Sequence, residues 1–259
     1  MGNLKLTKAE TERNIKMIKY KSEKLIDMFS SQRNSWEELY PSEQIVIEKS
    51  WPSKDVVVSV LDIGCACGGV GLALTEHFPN LEYFGVEIHS QMAEIAMSRF
   101  DKRKIFSGSI LDLPKMQFGI EKFDICLSLS AIDWNTEFLV SLKQAWGFVA
   151  ESGTLIMSLR LSEGDGINDI LVSYQEIDKI TGERAPYVLF NSSVLLSCIK
   201  DLGAVGSIYA FGYEGKPSST AVTPNEHVCF VVVAVKKMER NLTDKVEIVL
   251  DIPANYLPS

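Results

Sequence analysis

Histidine and cysteine are scarce in this sequence, and positive charge is in the minority. The 259 residues include 3 histidines and 5 cysteines, and 26 basic residues face 34 acidic ones, for a net charge of −8. An odd number of scattered cysteines does not predict a disulfide framework, so we expect a reducing, cytoplasmic environment. The acidic balance argues against a protein that grips a nucleic-acid backbone. A small-molecule partner is expected instead.

Long apolar runs and clustered metal ligands are also missing. The longest apolar run, residues 228–235, is far short of the ~20 residues that a bilayer-spanning helix needs, so no membrane partner is predicted. Cys65 and Cys67 have no histidine or further cysteine at ligand spacing nearby, so we predict no metal site. The oligomeric state is left open by the sequence.

The chain does contain a regular alternation of buried strands and helices. A β-branched run at 56–61 leads into a glycine-rich turn, and the helix and strand that follow make a βαβ unit. The predicted helices are at 70–78, 90–100, 136–149 and 192–202, and the predicted strands continue at 83–87, 104–107, 123–129, 154–160, 207–213 and 228–236. The pattern predicts an α/β fold: a doubly wound, seven-stranded, mostly parallel sheet with an antiparallel C-terminal strand and helices on both faces.

Composition divides the chain into three parts. Residues 1–52 are predicted to form a helical lid, with a capping-box pattern from Thr7 to Glu10 and a Trp36 that either closes over the cofactor or packs on the core. The main domain covers 53–240, with an insertion at 161–191 that we expect over the active site. The tail, 241–259, is expected to add an edge strand.

The turn after the first strand carries an unusual acid. Asp62 precedes Gly64, and Ala66 occupies the position where the dinucleotide fingerprint has its middle glycine. A carboxylate there repels a pyrophosphate and attracts a ligand with an ammonium and a sulfonium. Glu87 ends the second strand, where an acid accepts hydrogen bonds from a ribose diol. The turn therefore predicts a cationic nucleoside ligand, although such a turn alone also serves close helix–sheet packing.

Taken together with the later segments, this order resembles the class I S-adenosylmethionine-dependent methyltransferases. The resemblance covers about residues 55–160 and includes Gly108-Ser-Ile-Leu-Asp-Leu-Pro114, Phe123 to Trp134 and Glu151-Ser-Gly. It implies S-adenosyl-L-methionine as cofactor. The residues that it implies for cofactor binding are Asp62, Gly64, Cys65, Ala66, Gly68, Glu87, Ile88, Ser109, Ile110 and Ser128.

Within that implied site, the loop at 62–69 holds the methionine moiety and Glu87 binds ribose. Ile88 packs on adenine, while Ser109 and Ile110 meet its amino edge. Ser109 departs from the family, because many relatives have an aspartate there. Asp133-Trp134 departs as well, because many relatives read Glu-His.

Residues that follow the strands are the candidates for the methyl acceptor and for catalysis. Arg160 either forks onto an anionic group of the substrate or pairs with an acid of the 163–169 loop. Trp134 either faces the methyl donor or packs in the core, and Arg33 and Tyr187 are further candidates for substrate binding. Asp133 and His89 are the candidate catalytic residues.

We therefore predict an S-adenosylmethionine-dependent methyltransferase that acts on a small polar metabolite, such as a sugar or a phosphorylated intermediate, with oxygen favoured over nitrogen. Two other functions stay open. An NAD-dependent oxidoreductase is disfavoured by Asp62 and Ala66. A non-catalytic partner subunit is disfavoured because a degenerate fold need not keep both Asp62 and Glu87.

Overall fold

In the computed structural model, the described residues are 23–53, 55–239 and 245–259. The capping-box pattern predicted at Thr7 to Glu10 lies outside them. Six α-helices occur in the described part of the chain. They are α1 (Glu23–Ser31), α2 (Pro41–Ser50), α3 (Gly69–His77), α4 (Ser90–Arg99), α5 (Phe138–Phe148) and α6 (Ser192–Lys200).

The central sheet has eight strands, namely β1 (Val58–Ile63), β2 (Leu81–Glu87), β3 (Ile105–Ser107), β4 (Phe123–Ser128), β5 (Val149–Leu161), β8 (Val205–Gly215), β10 (Val228–Lys237) and β11 (Glu247–Asp251). Their order across the sheet is β11-β8-β10-β5-β4-β1-β2-β3. β1 to β5 pair in parallel, and β10 runs antiparallel to both β5 and β8. The predicted doubly wound, mostly parallel sheet with an antiparallel C-terminal strand is confirmed.

Helices cover both faces because the residues of each central strand alternate between two cores. Leu61 and Ile63 of β1 face a core that includes Leu142 of α5 and Ile199 of α6. Val58 and Val60 face the opposite core, with residues of α2 and α3. Strands buried on both faces need near-continuous apolar sequence, which the run at 56–61 supplies.

The tail forms the predicted edge strand, and the insertion contains strands that the sequence did not predict. The tail forms β11, which pairs in parallel with β8 and makes the sheet eight-stranded rather than seven-stranded. The insertion is not a plain loop, because β6 (Tyr174–Asp178) and β7 (Glu183–Pro186) form a hairpin, which β9 (Ala221–Val222) extends. β6 is half-buried throughout and β7 has only four residues, so neither shows the apolar alternation by which a strand is recognised.

The segment before β1 is held against the domain. Arg99 of α4 donates to the carbonyl of Ser30 at 2.6 Å and to Asn34 Oδ1 at 2.9 Å. Trp36 is buried and stacks on His77 with 4.0 Å between ring centroids. The core-packing alternative for Trp36 therefore describes its position.

Candidate functional site

The polar residues of the glycine turn meet at the carboxyl ends of β1 to β4, where open α/β sheets bind their ligands. They line a cleft that encloses, with its open mouth, about 1050 Å³. We call it the first cleft. Its lining includes ten residues of the predicted site: Arg33, Asp62, Gly64, Cys65, Ala66, Glu87, Ile88, Ser109, Ile110 and Trp134.

Backbone geometry explains why the turn needs glycine at Gly64. This residue has φ +79°, and a Cβ built on it would lie 2.4 Å from the Cβ of Ala131. Ala66 also has a positive φ, of 47°. Small residues in left-handed conformations thus let bare backbone form the floor of the first cleft. Gly68 does not line this cleft and instead precedes α3 as its N-cap.

Asp62 is a buried carboxylate at the end of β1. Its Oδ2 accepts a hydrogen bond from the Tyr83 hydroxyl at 2.7 Å. Burial raises the pKa of Asp62 to about 6, while the Tyr83 hydrogen bond and the charge of Arg33 lower it. A carboxylate short of stabilising charge favours a cationic ligand, because such a ligand compensates for the lost hydration. Sequence analysis missed Tyr83, whose role depends on the pairing of β1 with β2.

Glu87 is oriented by the backbone. Its Oε2 accepts from the Ala66 amide at 2.8 Å, and its Oε1 accepts from the His89 amide at 2.7 Å. Each carboxylate oxygen has a second lone pair, so both can still accept a hydroxyl from a ligand. Burial raises the pKa of Glu87, which these backbone donors oppose.

Ser128 and His89, like Gly68, are not part of the first cleft's lining. Ser128 is fully buried and its Oγ accepts from the Ile132 amide, so it shapes the loop after β4 from below. His89 lies at the N-cap of α4. Its backbone amide donates to Glu87, and its side chain lies outside the lining of the first cleft. Ser109 Oγ accepts from the Leu111 amide within its own turn.

A second cleft adjoins the first and shares Ser130 and Trp134 with it. It encloses, with its open mouth, about 1190 Å³. Side chains from five parts of the chain meet there, namely Tyr40 and Glu43, Asp133 and Trp134, Ser158 and Arg160, Gln175 and Tyr187, and Tyr213, Lys216 and Phe230.

Arg160 has a buried partner within the second cleft. Its Nη2 lies 2.8 Å from Asp133 Oδ2 and donates to the Asp133 carbonyl at 3.1 Å. The guanidinium also sits 4.5 Å from the ring centroid of Trp134 and 4.1 Å from that of Tyr187. An ion pair with an acid of the 163–169 loop was the alternative expected for Arg160. The partner is Asp133 instead, because the strand ends of β4 and β5 are neighbours in the sheet.

Arg33 lines the first cleft, where its Nε is a buried donor with no hydrogen-bond partner in the described part of the chain. Its Nη2 donates to Glu43 Oε2 at 2.7 Å. Since Glu43 lines the second cleft, this ion pair connects the two clefts. Arg33, which was predicted to bind the substrate, therefore lies in the first cleft and not in the second.

Glu43 was missed by sequence analysis. It is 1% exposed, and within residues 23–53, 55–239 and 245–259 its Oε1 has no hydrogen-bond partner. The signal was present, because Glu43 stands three and four residues before Val46 and Ile47 and so shares the buried face of α2. A carboxylate on the apolar face of a helix needs a partner, and its placement here points to function.

Neither a metal site nor a membrane-spanning helix is found in the described part of the chain. Among residues 23–53, 55–239 and 245–259, no three His, Cys, Asp or Glu side chains converge as a metal site would require. In the same ranges, no helix combines the length and the apolar character needed to cross a bilayer.

Comparison with known proteins gives a family for the region around the first cleft. Residues 61–155 match the model of a methyltransferase domain. No curated protein matches the chain in a sequence search.

Solved structures share the fold at low identity. The O-methyltransferase from a trans-AT PKS multienzyme of Brevibacillus brevis, in complex with S-adenosyl-L-homocysteine, is 13% identical over 78% of this chain and 73% of that chain, with a TM-score of 0.53. A phosphoethanolamine N-methyltransferase of Haemonchus contortus, in complex with S-adenosyl-L-methionine, is 13% identical over 76% and 52%, with a TM-score of 0.51. A Listeria monocytogenes protein described as an S-adenosylmethionine-dependent methyltransferase is 15% identical over 76% and 99%, with a TM-score of 0.52.

Proposed function

We propose that this chain is a class I S-adenosylmethionine-dependent methyltransferase, which the match of residues 61–155 to a methyltransferase domain supports, and that it methylates an oxygen of a small polar metabolite. The proposed cofactor site is the first cleft and the proposed acceptor site is the second. The observation that carries the proposal is their junction at Ser130 and Trp134, because transfer needs donor and acceptor in contact.

The residues of the first cleft fit S-adenosylmethionine. Asp62 offers a buried carboxylate to the ammonium, and Glu87 has free lone pairs for the ribose hydroxyls. The unpartnered Nε of Arg33 suits the carboxylate of the cofactor. When bound, the cofactor supplies an electrophilic methyl group on a sulfonium. Ile88 and Ile110 offer apolar surface to the base.

The second cleft supports a hydroxyl-bearing acceptor better than a phosphorylated one. Asp133 neutralises Arg160, and two backbone carbonyls, of Asp133 and Val188, accept from the same guanidinium. The positive charge of Arg160 is therefore largely compensated and attracts an anionic group only weakly. Asp133 Oδ1, in contrast, is a buried acceptor without a hydrogen-bond partner among the described residues and suits a hydroxyl donor. We propose that Asp133 orients the acceptor and that Trp134 and Tyr187 hold the ion pair in place.

The remaining expectations fit this proposal. Residues 1–52 act as a lid, supported by Phe29 and Arg33 in the lining of the first cleft. The hairpin of the 161–191 insertion brings Gln175 and Tyr187 to the second cleft. We also propose a cytoplasmic location, supported by five free cysteines, and a small-molecule partner rather than nucleic acid.

A turnover screen tests the proposed function. The protein is incubated with S-adenosylmethionine carrying a deuterated methyl group and a metabolite extract, and products are identified by mass spectrometry. We expect a labelled small molecule with a new methyl–oxygen bond. The label should disappear with Asp62→Asn. Label on protein or nucleic acid, or on a nitrogen, would contradict the proposal.

A further inference from the structure

Glu43 has the surroundings of a residue that binds a ligand. Its side chain is buried in the wall of the second cleft, yet only one of its carboxylate oxygens is used. Oε2 accepts from Arg33 at 2.7 Å and from the Tyr40 amide at 3.0 Å, whereas Oε1 has no hydrogen-bond partner among the residues that the structure describes. A buried carboxylate oxygen without a donor costs free energy, and a donor from a ligand would remove that cost.

Position supports a direct part in the reaction. Arg33 joins Glu43 to the first cleft, and the charges of Glu43 and Asp62 act on each other. Glu43 therefore lies on the side of the second cleft that faces the cofactor site. Asp133, the other carboxylate there, is paired with a guanidinium held between two aromatic rings, which favours a fixed charge over proton exchange.

The residues of the second cleft indicate which kind of methyl-acceptor molecule fits there. Its two buried carboxylates are each paired with an arginine, so the buried lining offers no net charge to an ammonium or a phosphate. Two unpartnered carboxylate oxygens, on Glu43 and Asp133, accept hydrogen bonds. Tyr40, Trp134, Tyr213 and Phe230 add aromatic surface. A neutral ring that carries several hydroxyls satisfies both the oxygens and the aromatic faces.

Resting on the function proposed above, we propose that Glu43 is the general base, and that its Oε1 binds the hydroxyl of a neutral polyol and takes its proton. The O–H bond of the acceptor breaks and the proton passes to Glu43. The acceptor oxygen bonds the methyl carbon as the carbon–sulfur bond breaks, which leaves a neutral thioether. Glu43 then releases the proton to solvent with the product.

The surroundings of Glu43 set the pH range in which a base at this position works. Burial raises its pKa, which Arg33 and the Tyr40 amide oppose. Asp62 and Tyr213 are the other titratable groups whose charges couple to it. A base must be ionised, so the rate falls as the pH drops through this raised pKa.

Glu43→Gln is the sharpest variant. Its amide oxygen can keep the contacts with Arg33 and the Tyr40 amide, while its NH₂ replaces the free oxygen and accepts no proton. Glu43→Asp keeps the acid, and Glu48→Gln serves as a matched control, because Glu48 is on the same helix with its side chain 55% exposed. The probes are methyl glycosides as neutral polyols, with ethanolamine and phosphoethanolamine as the amine and phosphate arms.

Formation of S-adenosylhomocysteine gives kcat, KM and the pH profile, and calorimetry gives the affinity for S-adenosylhomocysteine. For Glu43→Gln we expect kcat with a glycoside to fall about 100-fold or more, the acid limb to disappear, and cofactor affinity to stay within about threefold. Glu43→Asp should restore part of kcat with a shifted acid limb, and Glu48→Gln should match the wild type.

An unchanged kcat or acid limb in Glu43→Gln would overturn the proposal, as would turnover of only the amine or the phosphate probe, or of none. Loss of cofactor affinity in Glu43→Gln would also overturn it, because Glu43 would then act on the first cleft through Arg33. If the wild type bound no S-adenosylhomocysteine, the proposed function itself would fail, which this control separates from a failure of the base.

Discussion

At the scale of single residues, we expect the Asp62–Tyr83 pair to set the pH dependence with which the first cleft binds a cationic ligand. The pKa of Asp62 is about 6 in the unliganded protein, above its ordinary value of 3.8. Its ionised form binds a cationic cofactor, so we expect affinity to rise with pH through about 6 and then to level off. In the unliganded protein the same group contributes stability below pH 3.8, which is lost as the pH rises through about 6.

Tyr83→Phe removes the hydrogen bond that lowers the pKa of Asp62. The midpoint of the affinity–pH curve should therefore move upward, and binding at pH 7 should weaken. Calorimetric titration with S-adenosylmethionine between pH 5 and pH 8 measures the shift. Asp62→Asn is the control and should flatten the curve in this range. A Tyr83→Phe midpoint at or below that of the wild type would assign the pH dependence to another group.

Gly64 tests the tight approach of the glycine turn to the loop after β4. Gly64→Ala should lower stability by about 1–3 kcal/mol for the overlap with Ala131, in addition to the cost of its positive φ. Gly119 is a matched control, because it has the same φ of +79° but nothing within 4 Å of a built Cβ. Gly119→Ala should therefore cost only about 1–2 kcal/mol. Equal losses of unfolding free energy in denaturant titrations would contradict the steric account.

At the scale of elements, α4 helps to hold α1 and the residues after it at the first cleft. Arg99 bonds the Ser30 carbonyl and Asn34, and these contacts place Phe29 and Arg33 in the cleft lining. The held segment is the described part of the proposed lid.

Removing this attachment should loosen the segment. Arg99→Met should increase hydrogen exchange in residues 25–34 and weaken cofactor binding by about tenfold, since one or two hydrogen bonds to a charged group are lost. Arg103→Met is the control, because Arg103 is 84% exposed and pairs only with Asp101 at the surface. If both variants exchanged and bound like the wild type, the attachment would have no role in cofactor binding.

At the scale of the whole molecule, most of the sheet could be predicted because its strands are buried on both faces. Val58 to Ile63 is apolar almost throughout, and Leu81–Glu87 ends in an acid at the edge where ligands bind. The hairpin of β6 and β7 could not be predicted in the same way, because β6 is half-buried throughout and β7 has only four residues. It forms where the insertion packs over the sheet.

The residues of the candidate site fall into those that local sequence predicts and those that only the fold brings together. Local sequence predicted that Asp62, Gly64 and Glu87 lie where strands end, and the structure places them there, in the lining of the first cleft. It did not predict the contacts of Arg160 with Asp133 or of Glu43 with Arg33, because each joins parts of the chain that only the fold brings together. The predicted roles of His89 and Ser128 stay predictions, and neither side chain lines a cleft.

The central claim is that the cleft at the carboxyl ends of β1 to β4 binds S-adenosylmethionine. The most direct measurement is calorimetric titration of S-adenosylhomocysteine into the wild type and Glu87→Gln. We predict one site per chain, with affinity reduced by Glu87→Gln by about 1.5–3 kcal/mol, as expected for hydrogen bonds to a charged acceptor. No binding by the wild type, or equal affinity in the variant with an unchanged melting temperature, would contradict the account.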